Sequence, residues 1–218
     1  MKDEEIHAAI KILRHVTKQW MTPYVTELSQ HSPDPFRILI STMLSLRTKD
    51  TTTAIAAPRL FALADTPQKM LMLKPRQIEK AIYPVGFYRV KAKNILRTCR
   101  ALIKQHEGHV PDDIDALVAL PGVGRKTANL VVTLGYGKPG ICVDTHVHRI
   151  TNRWGYVQTK TPEQTEMALR AKLPQEYWIE INDELVALGQ NICHPTSPKC
   201  SICPVSGYCE RVGVIRSR

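Results

Sequence analysis

Apolar residues recur along this chain at the three- and four-residue spacing of amphipathic helices. A first helix is predicted before the turn WMTPY at residues 20–24, and the segment 89–104 shows the pattern most clearly. The apolar side of the first helix comprises Ile6, Ile10, Ile12, Leu13 and Val16. The segment 89–104 has an apolar stripe of Ala92, Ile95, Leu96, Cys99, Leu102 and Ile103 and a basic stripe of Arg89, Lys93, Arg97, Arg100 and Lys104. Such a basic stripe is typical of a solvated face, with contact to DNA as the alternative.

Further helices follow from the same spacing, and strand signals are scarce. DPFRILISTMLSLRT (34–48) predicts a buried helix, and TTTAIAAPRLFALA (51–64) predicts another that Pro58 interrupts. Residues 66–86 predict two short helices separated by Pro75. The runs LVVTLG (130–135) and GICVD (140–144) have the length of strands but lack a partner or a hairpin turn. We therefore expect an all-α fold.

The composition changes near GYGKPG, at residues 135–140, which predicts a boundary between two helical domains. We expect a central helical domain over residues 28–138. The cysteine-rich end after Asn191 is too short and too loop-rich to fold alone. It is therefore expected to pack with the N-terminal helix, so that residues 1–27 and 139–218 form a second, discontinuous domain.

A glycine turn joins two predicted helices in DDIDALVAL-PGVG-RKTANLVVTLG, at residues 112–135. Gly122 and Gly124 permit positive φ and let a ligand approach the backbone, and the amides that begin the second helix form an anion site suited to phosphate. A Walker P-loop is excluded because it needs glycine at residues 120 and 125. A dinucleotide fingerprint is excluded because it needs glycine at residue 127 and a preceding strand. The unit looks like a helix-hairpin-helix, which binds the DNA backbone without sequence specificity, with an ordinary glycine-rich turn between helices as the alternative.

Two cations, Arg125 and Lys126, open the second helix of this unit, where acidic or polar residues are usual. The segment Thr161-Pro162-Glu163 follows the usual order of cap, proline and acid. Arg125 suits a contact to phosphate. Lys126 lies in a field that favours its neutral amine, which Schiff-base chemistry requires, although an exposed lysine that reaches phosphate is the alternative.

The charge balance favours an anionic partner. The chain carries 30 Lys and Arg against 20 Asp and Glu, a net charge of +10, and its pI is near 9.4. Nucleic acid is the first candidate and an acidic membrane surface the second. The N-terminus MKDEEIHAAI lacks the features of a signal peptide, and no apolar run has the length of a membrane span. We expect a cytoplasmic protein, associated with the nucleoid if bacterial.

Four cysteines near the C-terminus predict a metal site. Cys193, Cys200, Cys203 and Cys209 follow the spacing C-x6-C-x2-C-x5-C. In a reducing compartment such a group binds metal rather than forming disulfides. The spacing alone leaves zinc and a [4Fe–4S] cluster open. Cys99 and Cys142 lie in apolar surroundings and are predicted to be core residues.

These motifs together resemble the endonuclease III family of helix-hairpin-helix DNA glycosylases. VGFYRVKAKNI (85–95), VPDDIDALVALPGVGRKTAN (110–129), VDTH (143–146) and the four cysteines occur in the family's order and span nearly the whole chain. The resemblance implies that Lys126 is the nucleophile, Asp144 the catalytic aspartate, and a [4Fe–4S] cluster the group held by the cysteines. It further implies base excision repair by a monomer that binds double-stranded DNA with damaged bases or abasic sites.

The implied enzyme is both a glycosylase and an AP lyase. It would flip a damaged nucleotide out of the duplex, expel the base through attack by Lys126, and nick the strand by β-elimination. Oxidised pyrimidines are the expected lesions, with hydrated uracil and mismatches as alternatives. The residues implied to contact DNA are Gly122, Val123, Gly124, Arg125, Thr127, His146 and Lys199.

The match departs from the family at positions that fill the gap left by the flipped base. The family has Gln in LSxQTxD where this chain has Arg47 in LSLRTKD, and Phe87 stands at the apolar position of the xVGxY loop. Arginine can hydrogen-bond and stack, and phenylalanine can wedge between bases, although Phe87 also fits as an ordinary core residue. The segment HPTSPK (194–199) offers fewer cations than family loops do, so it is expected to add less DNA affinity.

Three other functions remain open from the sequence. A DNA-binding module without catalysis would keep the hairpin and the metal but form no covalent adduct with abasic DNA. A monofunctional mismatch glycosylase would lack the lysine that this chain has at residue 126. An electron-transfer protein would leave the hairpin, Lys126 and the net charge of +10 unexplained.

Overall fold

The computed structural model describes residues 1–20 and 22–218, and this part of the chain is helical without a β-strand. The all-α prediction is confirmed, while the turn predicted at WMTPY includes Met21 and falls partly outside the described residues. The helices are α1 Glu5–Val16, α2 Tyr24–His31, α3 Pro35–Ser45, α4 Asp50–Leu63, α5 Pro67–Leu71, α6 Pro75–Ile82, α7 Tyr88–His106, α8 Ile114–Val118, α9 Arg125–Leu130, α10 Thr145–Arg153, α11 Pro162–Lys172 and α12 Ile181–Asn191. A π-helical turn, Val131–Gly135, continues α9.

The chain forms two compact units. The central unit is Pro23–Lys138, and the terminal unit combines Met1–Thr22 with Pro139–Arg218. The N-terminal boundary therefore lies before α2 rather than between residues 27 and 28, because α2 packs against α3 and α4 of the central unit. The C-terminal boundary of the central unit lies between residues 138 and 139.

The core of the central unit is built around α3 and α7. The apolar residues of α3 are buried almost all round the helix, which fits its continuous apolar sequence. Helix α7 buries Ala92, Ile95, Cys99 and Leu102, while the predicted basic stripe is exposed, at Arg89, Lys93, Arg97, Arg100 and Lys104. The hydrophobic periodicity of α7 thus predicted correctly which side of the helix faces the core.

Helix α4 is continuous from Asp50 to Leu63, so the interruption predicted at Pro58 is wrong. Pro58 is exposed, and the turn before it continues to bury Ala56 and Ala57 while the turn after it buries Leu60. Proline removes one backbone hydrogen bond and crowds the preceding turn. The burial of these neighbouring side chains in the core outweighs that cost.

The core of the terminal unit is formed by α1, α10 and α12. Helix α1 buries Ile6, Ala9, Ile10 and Leu13, whereas the predicted positions Ile12 and Val16 are only partly buried. Helix α12 packs against both α1 and α10. No helix in the described part of the chain is both long enough and apolar enough to cross a bilayer.

Candidate functional site

Helices α8 and α9 and the turn between them form the predicted hairpin. Asp113 caps α8, since its carboxylate accepts a 2.9 Å hydrogen bond from the amide of Ala116. Gly122 has φ of +78°, and a Cβ there would lie 2.9 Å from Nδ2 of Asn94. Only glycine fits this conformation without strain. The turn is therefore shaped by its own backbone and by its close approach to α7.

The N-terminus of α9 is left without a side-chain cap. Gly124 is the N-cap residue, and it has no side chain with which to bond the first amides of the helix. A Cβ at Gly124 would meet nothing within 4 Å, so the space beside this helix end is open within the described residues. Arg125 and Lys126 are the first two residues of α9, and both are half-buried. The structure thus confirms where the two cations lie relative to the start of the helix.

Two hairpin residues expected to contact DNA have their side chains in the core. Val123 is 6% exposed, and its amide bonds the carbonyl of Leu120 at 3.1 Å. Thr127 is 1% exposed, and its buried hydroxyl makes no hydrogen bond with the described residues. Any role of Thr127 in binding a phosphate therefore falls to its backbone amide.

Asp144 begins helix α10 as its N-cap residue. Its Oδ1 accepts hydrogen bonds from the amides of His146 at 2.8 Å and Val147 at 2.9 Å. These two donors and the positive end of the helix hold the carboxylate in one orientation and stabilise its negative charge. His146 is half-buried on the same helix, and its Nδ1 lies 3.1 Å from Nη2 of Arg149.

The four cysteines of the C-terminal loop surround one cavity in the terminal unit. The cavity has an empty volume of about 380 Å³ including its opening, and Leu188, Ile192 and Val214 are among its apolar walls. Burial raises the pKa of the Cys203 thiol to about 11, and the charges of the other three thiolates act in the same direction. Four thiolates held this close require a positive group among them.

The four sulfurs lie around the cavity, and two of them receive N–H groups. Arg153 Nη1 lies 3.4 Å from Sγ of Cys193, and the amide of Arg211 lies 3.4 Å from Sγ of Cys209. Such N–H···S contacts are typical of iron–sulfur sites.

Arg153 is a residue of this site that the sequence did not single out. It lies at the end of α10 and also donates to the carbonyls of His194 at 2.7 Å and Pro195 at 2.6 Å. It therefore holds the first segment of the cysteine loop to α10. Lys199, expected to contact DNA, is half-buried beside Cys200, and its amide bonds the carbonyl of Ile192 at 3.0 Å. Cys99 and Cys142 are buried core residues, as predicted.

The two predicted gap-filling residues contact each other in the central unit. The guanidinium carbon of Arg47 lies 5.8 Å from the centre of the Phe87 ring. Both side chains are exposed, Phe87 by 62%, which excludes the alternative of Phe87 as a core residue. Both residues also have left-handed backbone conformations, with φ of +52° and +57°. The central unit thus contains this pair and Lys126, while the terminal unit contains Asp144, His146, Lys199 and the cysteines.

Comparison with known proteins identifies the family of the chain. Residues 40–175 match the model of the HhH-GPD superfamily of base excision DNA repair proteins, and residues 193–209 match the iron–sulfur binding domain of endonuclease III. Endonuclease III of Thermotoga maritima is 48% identical over 177 residues, which are 81% of this chain and 83% of that protein.

Two solved structures are similar over almost the entire chain. A non-covalent endonuclease III–DNA complex has a TM-score of 0.85 at 32% identity, covering 97% of this chain and 96% of that chain. A trapped endonuclease III–DNA covalent intermediate, an estranged-adenine complex, has a TM-score of 0.81 at 32% identity and covers 97% of each chain. With its hairpin, its cysteine loop and these matches, the chain belongs to the endonuclease III family of the HhH-GPD superfamily, and is a DNA-binding base excision repair glycosylase with an iron–sulfur cluster.

Proposed function

We propose that this glycosylase is also an AP lyase, with Lys126 as its nucleophile. The observation that carries the proposal is the position of Lys126, half-buried as the second residue of α9 behind an uncapped glycine turn. This is also the position at which the resemblance to the endonuclease III family implies a lysine nucleophile. A neutral amine is the form that attacks a sugar carbon.

The reaction is written as two linked steps. The Nζ lone pair of Lys126 forms a bond to the anomeric carbon of deoxyribose, and the bond from that carbon to the base breaks, with its electron pair leaving on the base, which takes a proton. The sugar ring opens to a protonated Schiff base. Loss of a proton from the neighbouring carbon then expels the 3′ phosphate by β-elimination, and water releases Lys126.

Asp144 supports this reaction as a fixed carboxylate. The two amide donors of α10 orient it, so it can stabilise the positive charge that develops on the sugar without reorganisation. It can also accept and return protons as the ring opens. Replacing such a preorganised group lowers rates by about 10²- to 10³-fold.

In this proposal the hairpin binds the DNA backbone. The backbone amides at the start of α9, from Arg125 to Thr127, have no side-chain cap from Gly124 and suit a phosphate, and the space around the Cβ position of Gly124 is open. The Arg125 side chain is proposed as a further contact. Arg47 and Phe87 enter the duplex where the damaged nucleotide leaves it, since both are exposed and adjacent. His146 and Lys199 are proposed as additional contacts to the strand. We infer that the enzyme acts as a monomer.

We infer that the cluster is [4Fe–4S], held by Cys193, Cys200, Cys203 and Cys209. Four cysteine ligands, one to each iron, suit this cluster, and the thiols surround a cavity. When bound, the cluster supplies the positive countercharge that holds the loop together. Iron and acid-labile sulfide analysis should give about four of each per chain, whereas zinc in place of iron would contradict this assignment.

Borohydride trapping tests the lyase directly. Duplexes carrying an oxidised pyrimidine, a hydrated uracil, a mismatch or an abasic site are incubated with wild type, Lys126→Gln, Asp144→Asn and Lys80→Met. Lys80 is exposed on α6, so Lys80→Met is a matched removal of one positive charge. We expect a covalent adduct with the oxidised pyrimidine and the abasic site for wild type and Lys80→Met, and none for Lys126→Gln.

Other outcomes identify the alternative functions. Base release without an adduct would indicate a monofunctional glycosylase, and an adduct with the mismatch alone would change the proposed lesion. Binding to abasic DNA with neither base release nor adduct would indicate a passive DNA-binding protein and overturn the proposal.

A further inference from the structure

One buried amine of the central unit has no part in the proposed chemistry. Lys91, on the first turns of α7, is only 8% exposed. Its Nζ donates to the carbonyl of Leu44 at 2.7 Å, the carbonyl of Leu46 at 2.5 Å and Oγ1 of Thr48 at 3.1 Å. The three donors of the ammonium are therefore matched by three acceptors. Lysine is almost never buried unless its charge is compensated in this way.

The three acceptors lie where helix α3 ends. Helix α3 stops at Ser45, so its last carbonyls have no partner within the helix. The charge of Lys91 lies at this negative helix end, which is a favourable position for a cation. The segment that follows the helix, residues 46–48, is thereby fixed, and Arg47 lies at its centre.

The same contacts join this segment to the loop that carries Phe87. Oγ1 of Thr48 accepts a 3.1 Å hydrogen bond from the amide of Gly86 in addition to that from Lys91. A Cβ at Gly86 would lie 2.5 Å from the carbonyl oxygen of Arg47, so glycine is needed for this backbone contact. Thr48 therefore links the two loops, and Lys91 holds Thr48.

The two residues carried by these loops have costly backbone conformations. Arg47 and Phe87 are left-handed with φ of +52° and +57°, although neither is glycine, asparagine or aspartate. Such a conformation is unfavourable for a residue with a Cβ and persists only where the surrounding contacts impose it. The hydrogen bonds of Lys91 and Thr48 supply that constraint. They also account for the 5.8 Å contact between the Arg47 guanidinium and the Phe87 ring.

We propose that Lys91 is a positioning residue that fixes the backbone of Arg47 and Phe87, so that the pair is preformed for insertion into DNA. This inference rests on the gap-filling role given above to Arg47 and Phe87. Burial lowers the pKa of Lys91 to about 8, so the amine still carries its charge at pH 7. Lys91 itself is buried and does not reach DNA, so its effect passes through the other two residues.

The first experiment compares Lys91→Met with Lys80→Met, a matched removal of an exposed lysine amine from the neighbouring helix α6. The probe is a duplex with 2-aminopurine opposite an uncleavable abasic-site analogue, whose fluorescence rises when insertion unstacks the aminopurine. We expect the rise to be retained in Lys80→Met and lost or strongly reduced in Lys91→Met.

Kinetics give a second readout that a purely structural role would not produce. Excision of a damaged base requires nucleotide flipping, whereas an abasic site lacks the base that must be unstacked. We expect Lys91→Met to slow excision by about 10- to 100-fold, the size of effect expected from a misplacement near 1 Å. Nicking of abasic DNA should change far less, and Lys91→Arg, which keeps the charge and donors, should recover part of the excision rate.

A double-mutant cycle shows whether Lys91 acts through Arg47. If it does, Lys91→Met adds little to the loss already caused by Arg47→Ala, and the two effects are not additive. Additive effects, or an unchanged aminopurine signal in a folded Lys91→Met, would overturn the proposal. Should Lys91→Met fail to fold, Thr48→Val, which removes the shared acceptor but no charge, decides in the same assays.

The outcome is separable from that of the proposed lyase function. The aminopurine assay uses DNA that cannot be cleaved, so it reports on Arg47 and Phe87 even if wild type forms no adduct under borohydride. Conversely, a normal adduct together with equal aminopurine signals in Lys91→Met and wild type would leave the lyase intact and reject the role of Lys91.

Discussion

The hydroxyl of Thr98 donates a 2.6 Å hydrogen bond to the carbonyl of Pro121, joining the middle of α7 to the turn of the hairpin. Thr98 is fully buried, so no water replaces this contact. Its Oγ1 also lies 2.9 Å from the carbonyl of Asn94, which is the backbone acceptor within its own helix. The bond to Pro121 therefore depends on tertiary packing, because it joins Thr98 to a carbonyl outside its own helix. It fixes Pro121, the residue before Gly122.

Thr98→Val tests the contribution of this bond. We expect the free energy of unfolding to fall by about 1–3 kcal/mol, since the carbonyl of Pro121 loses a buried donor. Because the turn is then less constrained, affinity for abasic DNA should also fall. Denaturant unfolding and a DNA-binding titration measure the two effects. Thr98→Ser keeps the hydroxyl and should keep its affinity for abasic DNA. A loss of affinity as large as that of Thr98→Val would contradict the role of the hydrogen bond to Pro121.

The two glycines of the hairpin should respond differently to alanine. Gly122→Ala places a Cβ 2.9 Å from the Asn94 side chain at φ of +78°, so we expect a loss of about 1–3 kcal/mol in unfolding free energy. Gly124 has φ of −97° and open space around its Cβ position, so Gly124→Ala should keep the stability of wild type. Thermal unfolding measures both variants.

For DNA binding, Gly124 should be the more important of the two glycines. A methyl group at Gly124 would occupy the space in which a phosphate approaches the first amides of α9, so we expect Gly124→Ala to weaken DNA binding several-fold while remaining folded. Equal affinity of Gly124→Ala and wild type would show that the phosphate does not approach on this side.

Removing one cysteine of the cluster loop should remove both the cluster and part of the stability. We expect Cys203→Ser to lose visible absorbance and iron content. It should also unfold at a lower temperature, because a cluster that binds only the folded state stabilises that state. Cys142→Ser is the matched control, since Cys142 is buried outside the loop. It should keep its iron, and loss of iron in both variants would point to general unfolding.

Pro58 inside α4 offers a stabilising substitution. Pro58→Ala restores a backbone donor on an exposed helix face and removes the crowding of the preceding turn. These two effects should stabilise the folded protein by about 3 kcal/mol. The greater entropy of the unfolded chain without proline offsets this gain by about 1 kcal/mol. We expect a net gain of about 1–2 kcal/mol in chemical denaturation. Pro162→Ala, at the first position of α11, is the control and should bring no gain.

Cys99 should resist alkylation in the folded protein. Burial raises the pKa of its thiol to about 12, so the neutral form is favoured and the reactive thiolate is absent near pH 8. Because the folded-state pKa exceeds the unfolded one, ionisation of Cys99 should lower stability as the pH rises from about 9 toward 12. Mass spectrometry after iodoacetamide treatment measures the alkylation of Cys99. Modification of Cys99 at pH 8 without denaturant would contradict the buried position.

Much of the fold was predictable because local patterns agreed with the tertiary structure. The period of α7, the start of α9 at Arg125 and the cap, proline and acid that open α11 are all determined by neighbouring residues. Pro58 is the exception. Its local preference predicted a break, and the burial of Ala56, Ala57 and Leu60 kept the helix continuous.

The candidate site likewise has some features that the sequence predicted and others that it did not. Glycine and cysteine spacings predicted the hairpin and the cysteine loop, since each depends on a residue type at a fixed offset. Arg47 and Phe87 were implied only by the resemblance to the endonuclease III family. The buried ammonium of Lys91, the bonds of Arg153 to the cysteine loop and the exposure of Phe87 were not predictable. These features depend on which side of one helix meets the end of another.

The sequence alone determined the helical class, the anion-binding turn, the four thiols and the excess of positive charge. Each of these is encoded by periodicity or by residue type over a few positions. Only the tertiary structure decided that the thiols surround a cavity, that Thr48 links two loops, and that Arg47 and Phe87 adopt strained conformations in contact. The physical reason is that these contacts join residues distant in the chain, and their energies depend on packing that no local pattern specifies.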